Sequence, residues 1–146
     1  MNKDKINQRQ RDFDKTQRNI NPIFRLRENN RTRIRNALQS NSKANNTIDL
    51  LGCDKNFFYQ WIMWQLPREM DDNEFKENYD INHCRPIATF NLSNPDEQYD
   101  AFFWQNCQPL LKRKNHSKGA KRNLYSEVLQ ELKVRVFLKL YYPDEC

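Results

Sequence analysis

Three short stretches hold residues whose types and order could do chemistry: Asn82-His83-Cys84-Arg85-Pro86, Asn106-Cys107-Gln108-Pro109-Leu110 and Asn115-His116-Ser117-Lys118. An imidazole with an ordinary pKa near 6.5 is available in its neutral form to take a proton from water, so His83 is the residue to test as a general base. Asn side chains present carbonyl oxygens, which suit a hard divalent cation. The order fits a hairpin followed by a helix. If residues 79–84 are extended, Asp80 and Asn82 share one face while Ile81 and His83 point to the other. Singly, each residue has a bland reading, since a lone His beside apolar neighbours is more often a packed core histidine than a base.

The combination is more specific. Asn82-His83-Cys84-Arg85-Pro86, Phe90-Asn91-Leu92, Asn106-Cys107-Gln108-Pro109-Leu110 and Asn115-x-x-Lys118 resemble, in that order, the motif run of the HNH (ββα-metal) endonucleases. The free-standing HNH proteins of large DNA viruses and phages are the nearest group. Leu50-Leu51-Gly52-Cys53 and Phe58-x-x-Trp61-Ile62-x-x-Gln65-Leu66 are similar to what precedes the core in that group, so the resemblance covers residues 48–121. It implies a DNA endonuclease that hydrolyses a phosphodiester with His83 as base. Asn106 would join the catalytic machinery by tying down the loop between the strands. Asn82 and Asn115 would hold a divalent metal ion, Mg²⁺ or Mn²⁺, which acts as Lewis acid. His116, about 100° round a helix from Asn115, would be a surface residue or a phosphate contact.

One position departs from the pattern. The family carries Asp, or sometimes His, where this chain has Asn82, and an amide oxygen brings no negative charge to a cation that depends on charge. Three accounts stay open: a weakened site that prefers Mn²⁺, rescue by a nearby carboxylate such as Asp80, or a catalytically inactive nucleic-acid-binding protein on the same fold. An interaction module that uses the C-terminal helix is a further alternative.

The elements that must position these residues follow from composition and periodicity. A net charge of +6 over 146 residues favours an anionic partner, and DNA is the partner expected. No apolar run is long enough to span a membrane and the first residues are polar, so no membrane partner and an intracellular, soluble location are expected. Cys53, Cys84, Cys107 and Cys146 form no C-x-x-C pair, which predicts reduced thiols, with Cys84 and Cys107 packed as small hydrophobes.

Residues 1–21 read as a disordered basic and polar tail or a frayed helix. Residues 22–70 read as a helical DNA-contacting region. Pro22 opens an amphipathic helix with Ile23, Leu26, Ile34, Ala37 and Leu38 on one side, and Arg25, Arg27, Arg31, Arg33 and Arg35 are its phosphate contacts. Residues 40–46 form a polar connector, Thr47 caps a short helix ended by Gly52, and Asp54 caps a helix over 55–66 whose Phe57, Phe58, Trp61, Ile62, Trp64 and Leu66 belong to the core. An acidic linker over 67–78 leads into the ββα core, residues 71–122, within which Asn94-Pro95 starts a helix. Lys112, Arg113, Lys114, Lys118, Lys121 and Arg122 are the densest basic cluster, placed to grip phosphates beside the metal. Residues 123–146 form a C-terminal helix with Leu124, Val128, Leu132, Val136 and Leu140 near one stripe, widened by Leu129, Phe137 and Tyr141. That stripe is broad enough to dock on the domain, or to make a homodimer. The fold class expected is α+β: helices first, then a ββα-metal core, then a C-terminal helix.

Overall fold

Side-chain caps set most of the helix starts, as the polar residues ahead of each apolar run predict. A computed structural model of the chain describes residues 2–37 and 47–145. Asn2 accepts from the Asp4 amide to open α1 (Lys3–Ile20). The Asn21 side chain, 3.0 Å from the Phe24 amide, opens α2 (Pro22–Ala37). After α3 (Thr47–Leu51), Gly52 adopts φ +73°, and a Cβ there would collide with the Phe103 ring, so a glycine is required on both counts. Asp54 accepts from the Asn56 and Phe57 amides at 2.8 and 3.0 Å and starts α4 (Lys55–Trp64). Asn94 and Asn123 cap α6 (Pro95–Phe102) and α8 (Leu124–Tyr141) in the same way.

Two segments differ from the sequence reading. Residues 3–20 form a helix, one of the two alternatives for this segment, and it is continuous rather than frayed. None of its residues is buried, and Gln8–Asp12 and Gln10–Asp14 hydrogen bonds one turn apart support it. The linker at 67–78 contains α5 (Asp72–Asn78), capped by Asp71 on the Glu74 amide at 2.9 Å. An acid followed three residues later by Glu74 was the unused signal for that helix start. Met1, Leu38, the connector at 40–46, the capping contact of Thr47 and Cys146 lie outside what is described.

The sheet has two strands, β1 (Tyr79–His83) and β2 (Cys107–Leu111). They run antiparallel with Tyr79 opposite Leu111, Ile81 opposite Pro109 and His83 opposite Cys107. The helix α7 (Lys112–Lys118) follows β2 without a break. The chain is therefore α+β, with N-terminal helices, a β1-β2-α7 unit of ββα type, and a C-terminal helix.

An aromatic core holds this unit. Trp61 of α4 meets Trp104 and Phe137 edge-on, each with ring centroids 5.1 Å apart. Its indole N–H donates to the Cys107 carbonyl at 3.0 Å, as does the Gln130 amide of α8, which ties both helices to the start of β2. Trp61 is thus core, as expected of this helix. A second cluster joins Ile34, Leu50, Ala101 and Phe102. Among the described residues no helix is long and apolar enough to cross a membrane.

The C-terminal helix docks on a face other than the stripe its pattern suggests. Gln130, Val134 and Phe137 are buried, whereas Leu124, Tyr125, Val128, Leu129, Leu132, Val136, Leu140 and Tyr141 are exposed. Only Phe137 of the expected apolar set packs inward. The buried face wins because Gln130 fulfils a specific hydrogen-bonding role beneath Trp61, which a hydropathy pattern does not register.

Candidate active site

Strand alternation and the absence of a loop after β2 build the site. Asp80 and Asn82 project from one face of β1, and the second turn of α7 brings Asn115 over them. The Asn82 amide donates to the Asn115 Oδ1 at 2.5 Å, and the Asn115 amide donates to the Asp80 carboxylate at 3.3 Å. Lys118, one turn further along α7, donates through Nζ to Asn82 Oδ1 at 2.7 Å and to the backbone carbonyls of His83 and Cys84 at 2.5 and 3.1 Å. The four side chains form one connected path from a carboxylate to an ammonium.

Asn106 braces the loop that leaves β1. Its Oδ1 accepts from the Arg85 amide at 2.8 Å while its Nδ2 donates to the carbonyls of Arg85 and Ala101 at 3.1 and 3.0 Å. One amide group serving as donor and acceptor closes both ends of the turn after His83. The Arg85 guanidinium folds back over the Phe90 ring, 3.8 Å from its centroid, and holds the far side of the same loop.

His83 lies on the opposite face of β1 from Asn82 and is 8% exposed, with its ring edge-on to Phe102. Its Nε2 is buried without a hydrogen-bond partner. Burial, followed by the positive charges of Arg33 and Lys118, pushes its pKa down to about 3, so the imidazole is neutral throughout the working pH range. Burial also lowers the pKa of Lys118. Cys84 and Cys107 are buried free thiols whose pKa values burial raises, in keeping with a packing role.

The basic residues divide into two groups. Arg27, Arg31 and Arg35 of α2, and Arg113, Lys114, Lys121 and Arg122 around α7, are exposed. Arg122 is bonded to Glu127 at 2.8 Å and Arg27 to Glu28 at 3.2 Å. The others turn inward. Arg25, read from sequence as a phosphate contact, is buried against Asp72 of α5 and the Arg18 carbonyl, because the unforeseen α5 supplies a carboxylate beneath it. Arg33 is half-buried, with its charge felt at His83 and Asp80. Lys112 donates to the Lys76 carbonyl at 2.8 Å. Lys118 is part of the site rather than of its periphery, and its position three residues after Asn115 on one helix face was the signal for this. The depth of Arg33 had no sequence signal, since it arises from the packing of α2. His116 is exposed, as its offset from Asn115 predicts.

Among the described residues no three His, Cys, Asp or Glu side chains group in a way that could hold a metal ion. The oxygen-bearing side chains here are the Asp80 carboxylate and the Asn82 and Asn115 amides, linked in a row in which Asn82 Oδ1 meets Lys118 and Asn115 Oδ1 meets the Asn82 amide. Such a set fits a hard divalent cation and not a thiolate- or imidazole-seeking one.

The arrangement is a nuclease-like ββα topology. Two uncharacterised proteins of Acanthamoeba polyphaga mimivirus are similar to this chain. One is 33% identical over 141 residues, 95% of this chain and 61% of its own length. The other is 29% identical over 98 residues, 67% of this chain and 43% of its own. The chain thus spans about three fifths of the first and less than half of the second. No protein-family profile and no solved structure matches it.

Proposed function

We propose that this chain is a DNA endonuclease of the HNH type that hydrolyses a phosphodiester bond with the help of a divalent metal ion, Mg²⁺ or Mn²⁺. The observation that carries the reading is the meeting of Asn82 and Asn115 across β1 and α7, with Asn106 bracing the loop that leaves β1. His83 would serve as base: its imidazole is neutral and its Nε2 has no protein partner, and it would have to turn out of its buried position to reach a water on the Asn82 side of β1. Asn82 and Asn115 would hold the cation, and Asp80 would contribute its negative charge. A bound divalent ion supplies Lewis-acid polarisation of the phosphate and stabilises the leaving oxygen. Asn106 positions His83 through the backbone of Arg85. Exposed Arg31, Arg35, Arg113, Lys114 and Lys121 grip flanking phosphates in a sequence-independent way.

A second reading is a nucleic-acid-binding protein without cleavage. The Lys118 ammonium on Asn82 Oδ1 favours it, because a cation already occupies that oxygen.

Supercoiled-plasmid nicking with Mg²⁺ and Mn²⁺ separates the two. The chain, Asn82→Asp, and Asn82→Asp combined with His83→Ala would be compared. Cleavage by Asn82→Asp that disappears with His83→Ala supports the nuclease. Binding of DNA with no cleavage by any of the three leaves the binding protein.

A further inference from the structure

The helix α8 is 18 residues long, roughly 27 Å at 1.5 Å per residue. It covers one apolar face and leaves another bare. Leu124, Val128, Leu132, Val136 and Leu140, spaced four apart, are each between 49 and 66% exposed. Isolated apolar side chains on a surface are ordinary, but a contiguous ridge of this length marks an interaction site. Residues four apart make a helix ridge of the kind that packs into the groove of a second helix.

A second ridge with the same spacing runs beside the first: Glu127, Glu131, Arg135 and Lys139. It is acidic in the N-terminal half and basic in the C-terminal half. Glu131, Arg135 and Lys139 make no ion pair among the described residues, whereas Glu127 is bonded to Arg122. A ridge with that polarity is complementary to itself only when reversed. In a parallel pair the two copies of the ridge fall on opposite sides of the apolar seam and do not meet at all.

We propose that the exposed face of α8 is a self-association surface on which a second copy of this chain docks antiparallel. The register that sets Glu131 against Arg135 of the second copy also sets Glu127 level with Lys139. The same register places each apolar residue of one ridge midway between two of the other, so that Leu132 of one copy falls between Leu132 and Val136 of its mate. Charge pairing and interdigitation therefore select one alignment. Its two-fold symmetry closes the assembly at two chains.

Light scattering coupled to size exclusion tests this at micromolar concentration, with far-UV circular dichroism to confirm folding. The full chain is expected at the mass of a dimer, and Leu132→Glu with Val136→Glu at that of a monomer. Both positions are exposed, so the helical spectrum should not change. Orientation is read from charge reversal. Glu131→Lys alone, or Arg135→Glu alone, puts like charges together twice and should weaken association on the order of tenfold or more. An equimolar mixture of those two variants restores two attractive pairs and should recover the dimer. A chain that is monomeric at all concentrations overturns the proposal. So does association that ignores both single reversals, because in a parallel pair the charged ridges lie on opposite sides of the seam and would not respond.

Discussion

Asn82 on β1 and Asn115 on α7 share a hydrogen bond of 2.5 Å although 33 positions separate them in the chain. Each amide is polarised from outside, Asn82 by the Lys118 ammonium and Asn115 by the Asp80 carboxylate. Both amide oxygens are therefore engaged by protein donors, and any metal ion entering the site competes with Lys118 for Asn82.

That competition makes Asn82→Asp informative. A carboxylate cannot donate to Asn115, so the Asn115 oxygen is released, and a negative charge joins Asp80. The metal concentration needed for half-maximal nicking should fall on the order of tenfold or more. Mn²⁺ titration followed by calorimetry checks the binding independently of cleavage.

Removing the competing cation should act in the same direction. Lys118→Met frees Asn82 Oδ1 and is expected to tighten Mn²⁺ binding. It also strips a donor from the His83 and Cys84 carbonyls, which should cost about 1–2 kcal/mol of stability in denaturant titration. Tighter metal binding in a less stable protein is the expected combination.

Asn106 uses both ends of its amide, so its two simplest replacements should rank. Asn106→Asp keeps an acceptor for the Arg85 amide and loses both donated bonds, while Asn106→Ala loses all three. The alanine variant should be destabilised by roughly 2–3 kcal/mol, and near neutral pH the aspartate variant by at least as much, because its carboxylate faces the Arg85 and Ala101 carbonyls. Urea unfolding measures both.

The depressed pKa of His83 ties stability to pH. In the unfolded chain the imidazole takes up a proton as pH falls below about 6.5, and in the folded protein only near pH 3. Between those values the unfolded state binds more protons. Stability is therefore fully present above pH 6.5 and is lost on acidification toward pH 3, by up to ~1.4 kcal/mol per pH unit from this group. His83→Gln should flatten the difference in melting temperature between pH 6.5 and pH 4 relative to the parent. For the same reason, cleavage should show no acid limb from His83 near pH 6.5.

The two kinds of arginine on α2 should separate in experiment. Arg31→Ala, at an exposed position, is expected to leave stability unchanged, to weaken DNA binding and to reduce the salt slope by about 1. Arg25→Ala strands Asp72 and should lower stability by about 2 kcal/mol while leaving the salt slope alone. Fluorescence anisotropy over a range of salt concentrations, with thermal melts, distinguishes them.

Much of the architecture was legible because it depends on local chemistry. Asp54, Asn94 and Gly52 mark helix ends through their own side chains or the lack of one, and the alternation around His83 predicts which face of the strand Asn82 takes. The order Asn82-His83, Asn106, Asn115 was enough to expect that these residues meet. The segment before β1 was also local chemistry: the Asp71 cap went unread.

Other features have no local signature. Whether Arg25 reaches solvent depends on Asp72, 47 positions away, and whether His83 is an ordinary imidazole depends on Phe102, Arg33 and Lys118 closing round it. The clearest case is α8. Its periodicity defines one broad apolar stripe, and the face that docks is instead the one carrying Gln130, which shares the Cys107 carbonyl with Trp61. The sequence by itself determined most element types and caps, since each is set within a few positions along the chain. Tertiary structure alone decided burial, charge environment and the face left open, because those arise where distant elements compete for the same surface.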